Sequence, residues 1–367
     1  MKNLLFSVVC ALALMACAET KTTDKTVEEA SATADSLVLP GEKHLKNVRQ
    51  LTFGGDNAEA YFSFDSKSLT LQRTAPSADI PCDQIFAGKL PETSAETFDL
   101  QRISNGKGRT TCSFFMPGDQ QIIFASTHDA SGDCPPEVDR AKMQKYVWPI
   151  YNSYELYIAD LQGNILQRMT ENDAYDAEAT VSPDGTKIVF TSTRNGDLDL
   201  YIMDIDGSNV VQVTKELGYD GGAFFSPDGK QLIFRASRFE TEAEKQEYKD
   251  LLTQGFVAPT NMELFICNLD GTGLQQITSL GKANWAPFFH PSGEKIIFSS
   301  NHASETGRSF NLYMINRDGS GLEQVTFDPE FASFPMFSYD GKKLVFAANR
   351  NNGGTRETNL FIADWVE

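Results

Sequence analysis

From Ala177 to Thr214 the chain reads AEATVSPDGTKIVFTSTRNGDLDLYIMDIDGSNVVQVT, four short apolar runs separated by polar turn sequences. The runs TVS, KIVFTS, DLYIMD and VVQVT are too short for helices and are rich in β-branched and aromatic residues, which is the composition of strands. Ser182-Pro183-Asp184-Gly185 and Asp204-Ile205-Asp206-Gly207 are tight-turn sequences, because Pro presets φ, Asp bonds nearby backbone and Gly accepts positive φ. The stretch is predicted to be a four-stranded antiparallel meander.

The rest of the chain repeats it. The turn after the first strand recurs as FSFDS (Phe62 to Ser66), FMPGD (Phe115 to Asp119), VSPDG (Val181 to Gly185), FSPDG (Phe225 to Gly229), FHPSG (Phe289 to Gly293) and FSYDG (Phe337 to Gly341). Third strands (LYIAD, LYIMD, LFICN, LYMIN, LFIAD and the variant QIFAG) and fourth strands ending in Thr or Ser give the same count of six. Four strands per unit at a period a little over 40 residues is the signature of a β-propeller, whose blades bury their faces against one another. The phase adds a detail. A fourth-strand sequence, Val48 to Thr52, precedes any first strand, and the last unit stops just after its third strand. Val48 to Thr52 is therefore expected to supply the outer edge of the last blade and close the ring. The predicted fold class is all-β: a six-bladed β-propeller of four-stranded antiparallel blades over residues 46–367.

The repeated SPDG, KIVFTS, LYIMDIDGS and QVT elements resemble the TolB-like (WD40-like) β-propeller repeat family, which overlaps the propellers of prolyl-oligopeptidase-type peptidases. The resemblance covers Lys46 to Glu367; units three to six match well, and units one and two are degenerate. It implies a non-catalytic binding or assembly scaffold for an envelope protein or peptide, such as machinery like the Tol-Pal system. The repeated residues are turn and core formers, so the motif specifies fold while function must be argued from the site.

Residues 1–17 (MKNLLFSVVCALALMAC) carry one Lys and an apolar run shorter than the roughly 20 residues of a spanning helix, the pattern of a signal peptide. Leu14-Met15-Ala16-Cys17 resembles a bacterial lipoprotein box, which makes Cys17 the expected lipidation site. Several acyl chains suffice for stable anchoring. Ala18 after the Cys resembles the outer-membrane sorting pattern, so the expected location is the periplasmic side of the outer membrane or the cell surface. Residues 18–45 are rich in Thr, Ala, Glu, Lys and Ser and are expected to be a flexible tether. A formal net charge of −18 disfavours nucleic acid as a partner, and a monomer is expected.

Long and dissimilar connections between second and third strands, among them Asp129 to Tyr154 and Phe239 to Met262, mark one face, the top, as the elaborated one. Phe239 to Gln254 carries good helix formers and is expected to lie over that face as a helix. At the ends of second strands the repeats align His128, Arg194, Arg238, His302 and Arg350; the starts of first strands offer Glu59, Asp176, Glu178, Asp220, Asn284 and Trp285. This ring of donors around carboxylates has two readings: pairing for packing, as repeats require, or a polar mouth that recognises a carboxylate-bearing ligand or a peptide through Arg. On the second reading the binding residues are His128, Asp176, Glu178, Arg194, Asp220, Arg238, Asn284, Trp285, His302 and Arg350.

No catalytic residue, cofactor or metal site is expected. GxSxG is absent, which argues against a serine hydrolase, and no HExxH or HxxxH spacing occurs. The alternative function is a carbohydrate-active or acidic-saccharide-binding propeller, similar to oligouronide lyases, using His128, His302 and the Arg ring. An exported protein permits disulfides, and Cys82 with Cys134, on neighbouring top loops, is the expected pair; Cys112 is the other candidate.

Overall fold

The computed structural model describes residues 37–367 except 94, 140, 141 and 144. The expected signal peptide, Cys17 and the tether as far as residue 36 lie outside the described residues. The described chain forms six four-stranded antiparallel sheets and one two-stranded ribbon. The sheets are the six expected blades. In the most regular, blade 3, the strands are Asp176–Val181, Lys187–Ser192, Asp199–Asp204 and Val211–Gln212 in sequence order.

Two repeated sequence features explain why each blade forms. The aromatic residue of the second strand stands opposite the aromatic of the third, as in Phe190 opposite Tyr201, Phe298 opposite Tyr313 and Phe346 opposite Phe361. These second-strand Phe residues are fully buried, each contributing about 2–3 kcal/mol by removal from water. The Thr that ends each fourth-strand sequence turns its hydroxyl onto the start of the third strand. Thr170 accepts from the Leu156 N–H at 2.9 Å, Thr214 from Leu200 at 2.9 Å, Thr278 from Leu264 at 2.8 Å and Thr326 from Leu312 at 2.9 Å. Ser104 does the same for Ile85 at 3.0 Å.

The sixth member of that series closes the ring: Thr52 accepts from the Leu360 N–H at 2.9 Å. The strand Leu45–Gln50 pairs antiparallel with Asn359–Trp365, completing blade 6 from the two ends of the propeller sequence. The preceding residues, expected in the tether, are packed from Leu37 onward. Glu42 is buried, and His44 stacks on Trp365 at 4.8 Å while bonding Glu323 Oε1 at 2.9 Å. The helix expected within Phe239 to Gln254 is Glu242–Thr253 (α1), opened by a capping box in which Thr241 and Glu244 satisfy each other's backbone N–H groups.

Candidate functional site

Every first strand carries a β-bulge at the same place, where two residues oppose one on the second strand. The bulged residues are Glu59, Cys112, Glu178, Gly222, Ala286 and Phe334, each with φ between 46° and 60°. Left-handed backbone at non-glycine residues is costly, and it recurs at five of the six bulges, with Gly222 at the sixth. The bulge amides are bonded by the preceding blade: Cys112 N–H donates to Gln72 Oε1 at 3.2 Å, Gly222 N–H to Glu178 Oε2 at 2.9 Å and Phe334 N–H to Ser299 Oγ at 3.2 Å.

Above this ring lies a cavity of about 450 Å³. Below it, Tyr61, Phe114, Phe224 and Phe288 meet with ring centroids 5.1–6.4 Å apart and fill the waist of the channel. A second, apolar cavity of about 290 Å³, bordered by Pro183, Pro227 and Pro291 of the SPDG-type turns, lies beyond that waist. The upper cavity has aromatic walls, including Tyr154, Tyr175, Tyr219, Trp148 and Trp285, and five charged residues: Glu59, Asp83, Arg109, Glu178 and Arg235.

These charges are unequally satisfied. Glu178 accepts from Thr191 Oγ1 at 2.8 Å, Tyr219 Oη at 2.9 Å, the Gly222 N–H and Arg235 Nη2. Burial raises its carboxyl, but the guanidinium and these donors outweigh burial and hold it below the ordinary range. Arg235 fits because Gly222 lacks a side chain; a Cβ there would lie 1.8 Å from Arg235 Nη1. Asp83 accepts from Thr74 Oγ1 at 2.7 Å and faces Arg109 at 3.7 Å.

Glu59 is different. Its Oε2 accepts from the Cys112 thiol at 3.0 Å, and among the described residues Oε1 has no partner. It lies deep in the molecule yet keeps surface toward the cavity. Burial pushes its carboxyl up to about 7, with the Cys112 thiol and Arg235 opposing and Glu178 and Asp83 reinforcing. Burial and Glu59 also push the Cys112 thiol well above its ordinary value, so it is a neutral donor rather than a nucleophile.

A stability test follows from Glu59. A carboxyl whose folded value exceeds its unfolded value holds its proton more tightly in the native state, so its contribution falls as pH rises from about 4.5 to about 7 and is constant above. Denaturant titrations should show Glu59→Gln more stable than the parent above pH 7, by at most about 3 kcal/mol, with the difference shrinking toward about pH 4.5. A difference independent of pH would contradict the assignment.

The cavity is roofed. Trp148–Pro149 pairs with Phe256–Val257, joining the long top loops of blades 2 and 4 into the two-stranded ribbon. Ile150 N–H donates to Gly255 O at 2.7 Å, and Lys145 pairs with Glu247 of α1 at 2.5 Å. The Trp148 ring packs 5.0 Å from Trp285 and lies 5.5 Å from the Arg235 guanidinium carbon. A disulfide joins Cys82 of blade 1 to Cys134 of the blade 2 loop, with Cα atoms 6.0 Å apart, while Cys112 is free.

Of the residues predicted to form the mouth, Glu178 and Trp285 line this cavity. The others are engaged inside or between blades. Arg194 donates to both oxygens of buried Asp176 at 3.0 and 3.1 Å and stacks 4.8 Å from Tyr201. Arg238 grips Asp220 in the same way over Phe265. In blade 5 Asn284 accepts from Ser300 Oγ at 2.7 Å, and Ser300 bonds His302, which packs on Tyr313. His128 bonds Ser126 and packs on Tyr157. Arg350, with no acid at the start of its own first strand, holds Asp328 and Glu42. The pseudo-symmetric ring is thus a set of clasps, mostly linking first and second strands of one blade; of the two readings of these arginines, pairing to the protein's own acids is the contact they make in this structure.

Arg235 was legible as an anomaly. At the position it occupies in LIFRASR, the aligned second strands have the small residues Ala125, Thr191, Ser299 and Ala347, and Gly221-Gly222 stand opposite. Tyr175 and Tyr219 recur immediately before the first strands of blades 3 and 4, whereas Trp148 and Tyr154 had no repeat pattern to announce them.

The family described as TolB beta propeller domain matches residues 151–258. Among solved structures the chain is similar to a putative TolB from Agrobacterium tumefaciens, with TM-score 0.54 and 18% identity over 85% of this chain and 91% of that one. It is also similar to TolB from Acinetobacter baumannii (TM-score 0.50, 17% identity, 84% of this chain and 63% of that one). An oligogalacturonate lyase from Vibrio parahaemolyticus has TM-score 0.53 and 14% identity over 86% of this chain and 79% of that one. At these identities the likenesses speak for the architecture, and the family match for the repeat within it. The chain is a six-bladed β-propeller whose residues 151–258 match the TolB beta propeller domain.

Proposed function

We propose that this protein is a binding scaffold of the bacterial cell envelope, exported, lipid-anchored through Cys17, and taking a segment of a protein or peptide partner into the roofed top cavity. The observation that carries this reading is the cavity itself: about 450 Å³ walled by tyrosine and tryptophan, with charged side chains converging on it, the form of a recognition pocket. The residues that an acidic-saccharide reading needs, His128, His302 and the arginine ring, are spent inside the blades, and the one thiol in the cavity is held neutral. Among the described residues no helix is long and apolar enough to cross a membrane.

A photo-crosslinking residue at Tyr151, on the cavity wall, is expected to capture a defined segment of one envelope protein in cells, whereas the same residue at the outward Val211 is not. Equal labelling from both positions, or eliminative cleavage of an oligogalacturonate by the purified protein that is lost in Arg235→Ala, would overturn the scaffold reading.

A further inference from the structure

We propose that the top cavity is a receptor for an organic cation, an alkylammonium or guanidinium group, held by the Glu59 carboxylate and enclosed by tyrosine and tryptophan faces. The inference rests on the binding-scaffold reading and names what the partner segment brings: a basic side chain.

Three carboxylates face two guanidiniums in the cavity. Arg235 is consumed by Glu178, and Arg109 faces Asp83, so among the described residues the cavity carboxylate without a counter-ion is Glu59. Its Oε2 takes only a thiol hydrogen bond, and Oε1 takes none among the described residues while having surface on the cavity. A buried carboxylate left in this condition is unfavourable until a cation arrives. The walls suit the same guest. Tyr61, Tyr154, Tyr175 and Trp285 line the cavity, and aromatic rings of this kind attract a desolvated cation over their faces. Trp148 already lies over the Arg235 guanidinium, so the site uses this contact within its own wall.

The groups facing Glu59 are Tyr61 on its own strand, Cys112 on the next blade, Asp83, Glu178 and Arg235. Tyr61 and Cys112 are both held neutral, and Glu178 and Arg235 neutralise each other. Asp83 stands beside Arg109. Charge change at Glu59 therefore dominates the pH dependence of binding around neutrality. A cation selects the ionised form, so affinity rises with pH through the Glu59 range.

Fluorescence of Trp148 and Trp285 provides the readout. With n-butylammonium as probe, the apparent affinity should rise about tenfold between about pH 6 and about pH 8, following the ionised fraction. Glu59→Gln should lose at least about tenfold at the upper pH, and since that variant is expected to be the more stable protein there, the loss is not misfolding. The neutral n-butanol should not bind. The peptide Ac-Gly-Lys-Gly-NH2 binding tighter than n-butylammonium would identify a partner's side chain as the source of the cation, and the reverse order a free amine; either supports the chemistry. Equal binding of Ac-Gly-Glu-Gly-NH2, or an affinity in the parent protein that does not change with pH, overturns it. If cations fail to bind while crosslinking from Tyr151 still captures a partner, this inference falls and the scaffold reading stands. If cations bind and no segment is captured, the scaffold reading falls instead.

Discussion

A chain that begins at Leu51 is expected to yield no stable folded monomer. Leu45–Gln50 is the outer strand of blade 6, and without it the strand Asn359–Trp365 becomes an open edge with unpaired backbone groups. Leu45 and Val48 belong to the core cluster containing Phe337, Phe346 and Phe361, and removing them exposes that cluster. At about 2 kcal/mol for each apolar side chain, and more for the lost ladder, the cost reaches the roughly 5–15 kcal/mol that a whole domain commands. Glu42 goes too, leaving Arg350 with half its carboxylate partners. Sedimentation and circular dichroism should find the truncated chain associated or unfolded, and a peptide of residues 37–52 added in trans should restore the compact monomer. A truncated chain that stays monomeric and unfolds at the parental denaturant midpoint would show that the closing strand is dispensable.

The closing strand also shows which properties a single sequence displays. Its position was readable because the fourth-strand pattern occurs once before the first blade, and a repeat that is out of phase by one strand has only one economical closure. Thr52, Thr170, Thr214, Thr278 and Thr326 recur because each makes the same hydrogen bond, so periodic sequence reports periodic structure. The same logic applies at the mouth. Arg194, Arg238 and Arg350 recur at one register, and recurrence points to a shared structural need, here clasping the start of a blade over its aromatic pair. The cavity is made by residues that break the repeat. The bulge position holds Glu59, Cys112, Glu178, Gly222, Ala286 and Phe334 in turn, and Arg235 stands where four of its five equivalents are small and the fifth is Gln72. The ribbon between Trp148–Pro149 and Phe256–Val257 pairs loops about 100 residues apart, and nothing local in either dipeptide encodes that pairing.

Arg350→Met is expected to cost about 3–5 kcal/mol, the range for removing one partner from a buried ionic group. Arg350 is 4% exposed, with Glu42 and Asp328 at 0% and 1%. Its Nε donates to Asp328 Oδ1 at 3.0 Å, Nη2 to Glu42 Oε1 at 2.6 Å, and Nη1 to the Leu37 carbonyl at 2.9 Å. It thereby fastens the segment entering the closing strand to the turn before blade 6. Burial already pushes the Asp328 carboxyl upward against the opposing pull of Arg350. Without the guanidinium, burial would act unopposed on the Asp328 carboxyl beside Glu42, and folding would favour its uptake of a proton. The deficit of Arg350→Met should therefore be largest above pH 7 and shrink on acidification, because proton uptake costs less as pH approaches the ordinary carboxylate range near about 4. Adding Glu42→Gln and Asp328→Asn should recover much of the loss at neutral pH, since replacing a whole buried ionic group is far less costly than orphaning part of it. Arg194 and Arg238 are 23% and 24% exposed, so removing either one opens its fully buried carboxylate partner toward solvent, and their variants should lose less. A deficit for Arg350→Met that was constant with pH, or no larger than that of Arg194→Met, would mean that packing over Phe346 and Phe361 rather than charge holds the ring closed.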